Sequence, residues 1–224
     1  RFNTGGAFEL HNNIFERNEA NRHGGGANIS LGNNVTQALM VQNLFAGNHA
    51  GTEGAGGALQ INADCSVMLI NNTVAGNRAG DAGGLGYYAE TAADRAWLYN
   101  EIYWSNSPTA LGVLGTGTVQ ARYSALEHGA GESWFGAGCI TGEPCFVNST
   151  LGNYRLLEGS PCINTGTNFP WMTGAADLDG NPRIHDGQVD MGCYEFIPEA
   201  GFGGMLGVFT VYNVQYTLWR RRAQ

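Results

Sequence analysis

The chain of 224 residues has no Lys, 11 Arg against 19 Asp plus Glu, a net charge of −8 and 35 Gly. Gly and its 22 Asn make up a quarter of the residues, and both are poor helix formers, which excludes coiled coils and helical bundles. An apolar share of 43 % with 11 % aromatics argues against disorder, and the clustered glycines exclude collagen. The only basic run is Arg220, Arg221 and Arg222, so a nucleic-acid partner is not expected.

Two motifs recur from the first residues onward. A small-residue step appears as Gly5-Gly6-Ala7, Gly25-Gly26-Ala27, Gly56-Gly57-Ala58 and Gly83-Gly84-Leu85. A bulky apolar residue followed three places later by Asn appears at Phe15/Asn18, Phe45/Asn48, Val74/Asn77 and Tyr103/Asn106, with apolar spacings of 30, 29 and 29. Asn also stands two before that apolar residue at Asn13, Asn43 and Asn72, where the fourth copy has Glu101.

Between the markers lie short runs such as Ala38–Val41, Val67–Ile70 and Ala96–Tyr99, bounded by Gly, Asn or Asp, which read as strands. About 30 residues holding short strands is one coil of a parallel β-solenoid, whose coils bury their apolar faces only by stacking. Asn suits the corners, since it tolerates the left-handed region and its amide can bond the amide one coil up. The alignment stacks Val41, Ile70 and Tyr99, and likewise Leu39, Met68 and Trp97, as apolar columns read as core. The predicted fold class is therefore all-β: a right-handed parallel β-helix over 1–118, a closing module over 119–197 and a tail over 198–224.

The Gly-Gly-Ala and Phe-x-x-Asn motifs resemble those of right-handed parallel β-helix surface proteins, including polymorphic outer-membrane autotransporter passengers, over roughly residues 4–125. Pectate lyases and other polysaccharide-processing enzymes share that fold, so the motifs imply the scaffold more than an activity. From Val119 the pattern changes. Pro144-Cys145-Phe146-Val147, Tyr154-Arg155-Leu156, Ser160-Pro161-Cys162-Ile163-Asn164-Thr165-Gly166, Asp177-Leu178-Asp179-Gly180-Asn181-Pro182-Arg183 and Asp190-Met191-Gly192-Cys193-Tyr194-Glu195 follow in order. This succession resembles the choice-of-anchor Q module that closes bacterial extracellular β-helix proteins, which implies export to the cell surface. The blocks also fit a cap over the open strand edges of a solenoid end.

Where that family places Ala twice, this chain has Cys162 and Cys193, which suggests a Cys162–Cys193 bridge with Cys139–Cys145 as a second, in keeping with export. Cys65 is left over as a small buried apolar residue. No Cys-x-x-Cys pair or His cluster points to a transition metal.

Few residues carry chemistry. Asp177, Asp179 and Asp186 resemble part of a Ca²⁺ loop, but Ala175 stands where its first carboxylate belongs; the competing reading is a turn with an Asp–Arg183 pair. Ca²⁺ is the one cofactor the sequence raises. In the repeats Asp64, Asp81 and Asp94 stand in three different contexts. Glu9, Arg17, Arg95 and Glu101 are the charges that coil stacking could bring together, with a solvated role as the default.

The ends add two expectations. Arg1-Phe2-Asn3 enters mid-pattern, which reads as the C-terminal part of a longer precursor. Pro198-Glu199-Ala200, an apolar stretch from Gly201 to Trp219 and the three arginines resemble a degenerate Pro-Glu-Pro type sorting signal that would anchor the chain to a membrane. A final strand over Val208–Trp219 competes with it. The functional expectation is an exported, non-catalytic, adhesin-like module contacting polysaccharide or other surface proteins. The alternatives are a polysaccharide lyase or hydrolase, and a self-assembling subunit stacked end to end.

Overall fold

The computed structural model describes residues 6–32 and 34–198, so Gly5 and the sorting-signal and final-strand readings of the tail beyond Pro198 lie outside the described residues. The first coil runs β1 (Gly6–His11), β2 (Ile14–Glu16) and β3 (Ala27–Leu31); the second runs β4 (Val35–Val41), β5 (Leu44–Ala46) and β6 (Leu59–Ala63). The third runs β7 (Val67–Ile70), β8 (Thr73–Ala75) and β9 (Arg78–Ala89); the fourth runs β10 (Arg95–Tyr99), β11 (Ile102–Trp104) and β12 (Ser107–Gly115). A fifth begins with β13 (Thr118–Arg122) and β14 (Ala125–Leu126). Corresponding strands pair in parallel into the sheets β1-β4-β7-β10-β13, β2-β5-β8-β11-β14 and β3-β6-β9-β12. The chain is a parallel β-solenoid.

The interior is filled by alternate positions of each strand, as period-two alternation requires. Leu10, Met40, Leu69, Leu98 and Ala121 form one inward column, and Phe15, Phe45, Val74, Tyr103 and Leu126 another. Phe15 stacks on Phe45 with ring centroids 4.7 Å apart. Each such large side chain withdrawn from water contributes roughly 1.5–3 kcal/mol, which is what holds coil on coil.

The predicted columns occur in the expected register, Val41↔Ile70↔Tyr99 and Leu39↔Met68↔Trp97, but they face outward. The true inward residues are their immediate neighbours, because adjacent strand positions point to opposite faces. The glycine step needs a similar correction. Ala27 pairs with Leu59 and Leu59 with Leu85, so Gly25 lies over Gly57 and Gly57 over Gly83, one place away from the motif alignment. A Cβ on Gly57 would sit 2.4 Å from the Gly83 carbonyl oxygen, so these coils approach too closely for any side chain. Gly6 pairs with Val35 in a different sheet and is not a copy of this step.

The corners are held by amide ladders. The backbone N–H and side-chain Nδ2 of Asn18, Asn48 and Asn77 donate to Oδ1 of Asn48, Asn77 and Asn106 at 2.8–3.1 Å. Asn13, Asn43 and Asn72 repeat the arrangement at the other corner, and Glu101 ends it by accepting from Asn72 N and Nδ2 at 2.9 and 2.8 Å. The left-handed residues are the ones just before these, Asn12, Gln42, Asn71 and Asn100 at one corner, with φ of 56–58°. Conformation and laddering are thus divided between two neighbouring residues.

The cap is divided as well. Residues 127–143 close the end of the solenoid: Trp134 O, Ala137 O and Ile140 O accept from Ala121, Tyr123 and Leu126 N–H, while Trp134, Phe135 and Cys139 pack on the core. Residues 144–198, with the antiparallel pair β15 (Phe146–Asn148) and β16 (Asn153–Leu156), lie along the flank. Val41 and Ile70 are buried there against Met172 and Val189, and Tyr99 packs edge-on to Phe169. The left-handed corner column is the rail for this contact: Gln42, Asn71 and Asn100 donate to the carbonyls of Ala176, Asp190 and Thr167 at 2.9 Å each.

Candidate functional site

The flank module is built on buried polar groups. The Arg183 side chain is fully buried, pairs with Glu195 at 2.9 Å and donates to the Asp190 and Gly192 carbonyls. Burial drives the Glu195 carboxyl upward, opposed by the Arg183 guanidinium. Asp177 accepts from Asp179 N, Asn181 N and Nδ2, and Glu195 N at 2.7–3.2 Å. Its oxygens therefore face donors. Asp179 is forked by Arg155, which lies over the Tyr194 ring at 4.7 Å, and Asp186 sits in an exposed turn beside His185. The structure does not bring these three carboxylates to one point. No group of three or more His, Cys, Asp or Glu able to hold a metal ion occurs among the described residues.

The cysteines correct a second expectation. All five are free thiols. Cys162 packs with Ile102, Leu156 and Met191, whereas Cys193 packs with Leu44, Ala75 and Tyr154, so the two enter separate clusters of the flank contact. Burial pushes each of these thiols up to about 12, which keeps them protonated and inert. Cys139 is directed into the solenoid end, while the Cys145 thiol lies by the Glu143 carbonyl at 3.4 Å.

The four charges that coil spacing might have gathered do not meet. Glu9 heads the outward Leu39–Met68–Trp97 column, Arg95 lies 5.9 Å from the Trp97 ring centroid, and Arg17 is exposed beside Glu16 at 3.6 Å. Glu101 is not solvated but fully buried, and burial raises its carboxyl to about 8. Its Oε2 and the Tyr103 hydroxyl share the interior without other partners.

A groove of about 420 Å³ opens on the outer face of the sheet β3-β6-β9-β12. The pairing fixes its grid. Asn28, Gln60, Gly86 and Gly112 form one outward column, and Ser30, Asn62, Tyr88 and Leu114 the next. Just past the ends of the three strands, Gly32, Asp64 and Glu90 complete the lining together with Leu31 and Ala63. The Asn62 amide reaches Asn28 Oδ1 at 3.5 Å and accepts from Gln60 Nε2 at 3.2 Å. Gln60 is 3 % exposed and packs beside the groove rather than in its lining, its unpartnered Oε1 filling the space 2.2 Å from where a Gly86 Cβ would be. Tyr88 is 38 % exposed, so its ring faces the opening. The site thus offers amides, one aromatic face and two carboxylates on consecutive coils.

Of these residues only Asp64 stood out in the sequence, and without its partners. The usable signal was a constant offset: Ser30, Asn62 and Tyr88 each stand five residues after the close-approach glycines Gly25, Gly57 and Gly83. The one-place slip in the Gly-Gly-Ala alignment concealed it, since it exchanges inward and outward residues. Comparison with family models, curated proteins and solved structures returned no match.

Proposed function

We propose that this β-solenoid is an exported bacterial surface module that holds polysaccharide in the groove of the β3-β6-β9-β12 face without transforming it. The observation that carries this reading is the grid itself. Amide side chains offer a donor and an acceptor to neighbouring sugar hydroxyls, and the Tyr88 ring offers an apolar face for a sugar ring. Asn28, Asn62 and Tyr88 set these groups on three successive coils ~4.8 Å apart. The succession of blocks from Pro144 to Glu195 supports export through its resemblance to surface-anchored β-helix proteins. Among the described residues no Arg lines the groove, so a lyase base of that kind has no place there.

Affinity electrophoresis through gels holding a panel of soluble polysaccharides tests the reading. At least one polysaccharide is expected to retard the protein, and Tyr88→Ala is expected to weaken that retardation about tenfold, the loss of one stacking contact of ~1.4 kcal/mol. Retardation by none, or retardation indifferent to Tyr88→Ala, overturns it.

A hydrolase reading has one observation in its favour: Asp64 and Glu90 line the same groove from consecutive coils, as an acid–base pair would. Release of reducing ends from the retarding polysaccharide, abolished by Glu90→Gln, would replace the non-catalytic reading with this one.

A further inference from the structure

We propose that the free edge of β12 receives the segment Tyr212–Trp219 of this chain as a fifth strand of its sheet, antiparallel to β12. The end of the solenoid is covered unevenly. Residues 127–143 supply carbonyls to Ala121, Tyr123 and Leu126 N–H and so cover the edges of β13 and β14. The sheets holding β13 and β14 have five strands, whereas β3-β6-β9-β12 has four. β12 pairs with β9 alone, and among the described residues no backbone group of Thr109–Leu114 bonds to the coil beyond it. The core registers the missing strand. Ile29, Ile61, Tyr87 and Val113 form one inward column; Ile61 and Tyr87 are fully buried, whereas Val113 is 40 % exposed. An open edge ending an uncovered apolar column is a template for an added strand.

Three observations point to this segment, which lies outside the described residues, as the occupant. The first is its pattern: Tyr212, Val214, Tyr216 and Leu218 alternate with Asn213, Gln215 and Thr217. As a strand, the first set continues the inward columns that end at Leu111 and Val113, and the second continues the polar outer face. The second is reach. Phe196 packs on the cluster of Ile102 and Ala125, and Ile102 opens β11, which leads through Ser105 and Asn106 into β12. The fourteen residues from Pro198 to Tyr212 span up to roughly 46–50 Å, and the thirteen from Ile102 to Gly115 span no more, so all of β12 lies within reach. The third is charge. A slot of about 210 Å³ between the start of β12 and residues 127–143 is lined by Pro108, Thr109, Glu127, His128, Glu132 and Trp134. Antiparallel addition brings Arg220, Arg221 and Arg222 to these two carboxylates, whereas parallel addition carries them to the Gly115 end. A second copy's edge brings the same carboxylates and a net charge of −8, so charge disfavours it as the occupant.

The test compares hydrogen exchange along β12 in the full chain and in the full-chain variant Val214→Pro/Tyr216→Pro, which deletes two N–H groups of the added strand and leaves the solenoid and its cap unaltered. The β12 amides turned away from β9 are expected to exchange at least about tenfold slower in the full chain, with β6 and β9 the same in both. Arg220→Glu/Arg221→Glu/Arg222→Glu is expected to remove part of that protection at low salt, more at Thr109–Leu111 than at Val113–Gly115. Equal exchange in the full chain and the proline variant overturns the proposal. So does partition of the full chain into anionic vesicles with β12 unprotected, which gives the segment to a membrane. Protection that fades on dilution places the strand on a second copy and overturns addition within one chain. Protection untouched by the three glutamates overturns the antiparallel direction.

Discussion

The solenoid presents two outer surfaces built from the same amide chemistry, and they have opposite fates. On the flank, Gln42, Asn71 and Asn100 donate to carbonyls of residues 144–198 and are buried beneath them. On the β3-β6-β9-β12 face, Asn28, Gln60 and Asn62 bond to one another, and Tyr88 stands open beside them. The residue types and the coil period are shared. What differs is whether residues 144–198 cover the face, and this separates a structural rail from an uncovered one.

The comparison breaks most severely if the flank is released. Arg183→Ala leaves Glu195 buried without its counter-charge and is expected to cost about 3–5 kcal/mol. Hydrogen exchange should then accelerate across residues 144–198 while the solenoid core stays protected; uniform acceleration would mean that flank and coils unfold as one unit.

Removing a ladder amide is expected to do somewhat less. Asn72→Ala strips the acceptor from Asn43 N and Nδ2 and the donor from the Met40 carbonyl, all buried, for about 2–3 kcal/mol in urea denaturation.

A pH titration reads the end of the same ladder. Glu101 is raised by burial from 4.5 to about 8, so the folded state holds a proton that the unfolded state has released across that window. Stability from this group is therefore full below pH 4.5 and falls as pH rises towards 8, at about 1.4 kcal/mol per pH unit for one proton. Glu195, raised by burial as well, acts in the same direction. Glu101→Gln should flatten the slope, because Gln keeps the acceptor for Asn72 and cannot ionise. An unchanged slope would show that Glu101 is not its source.

The smallest effect is the sharpest contrast. Asn62→Ala, on the open face, should change stability by no more than about 0.5 kcal/mol while weakening polysaccharide retardation. A cost equal to that of Asn72→Ala would mean that the open face is as structural as the ladder.

Much of the scaffold was legible because ladders and coils obey a fixed period. The Phe-x-x-Asn spacing located every member of the Asn18–Asn106 ladder, and Glu101 was visible as the break in the second. Its burial was not, since a Glu in place of an Asn reads as a solvated charge until the coils on either side enclose it. The pairings of Val41 with Ile70 and of Leu39 with Met68 were also legible, but their orientation was not. The groove was hidden by the same ambiguity, compounded by the glycine slip. The cysteine pairing failed because nearness in two sequence blocks says nothing about which pocket each thiol enters.

The sequence by itself determined the parallel solenoid, its coil length and its laddered corners, since these depend on spacing that any chain with this period must satisfy. It could not determine which alternate residues face in, where the last 55 described residues lie, or which polar face stays uncovered. A strand pattern of period two has two equivalent faces. Only the closure of the coils and the docking of 144–198 on one flank make them different.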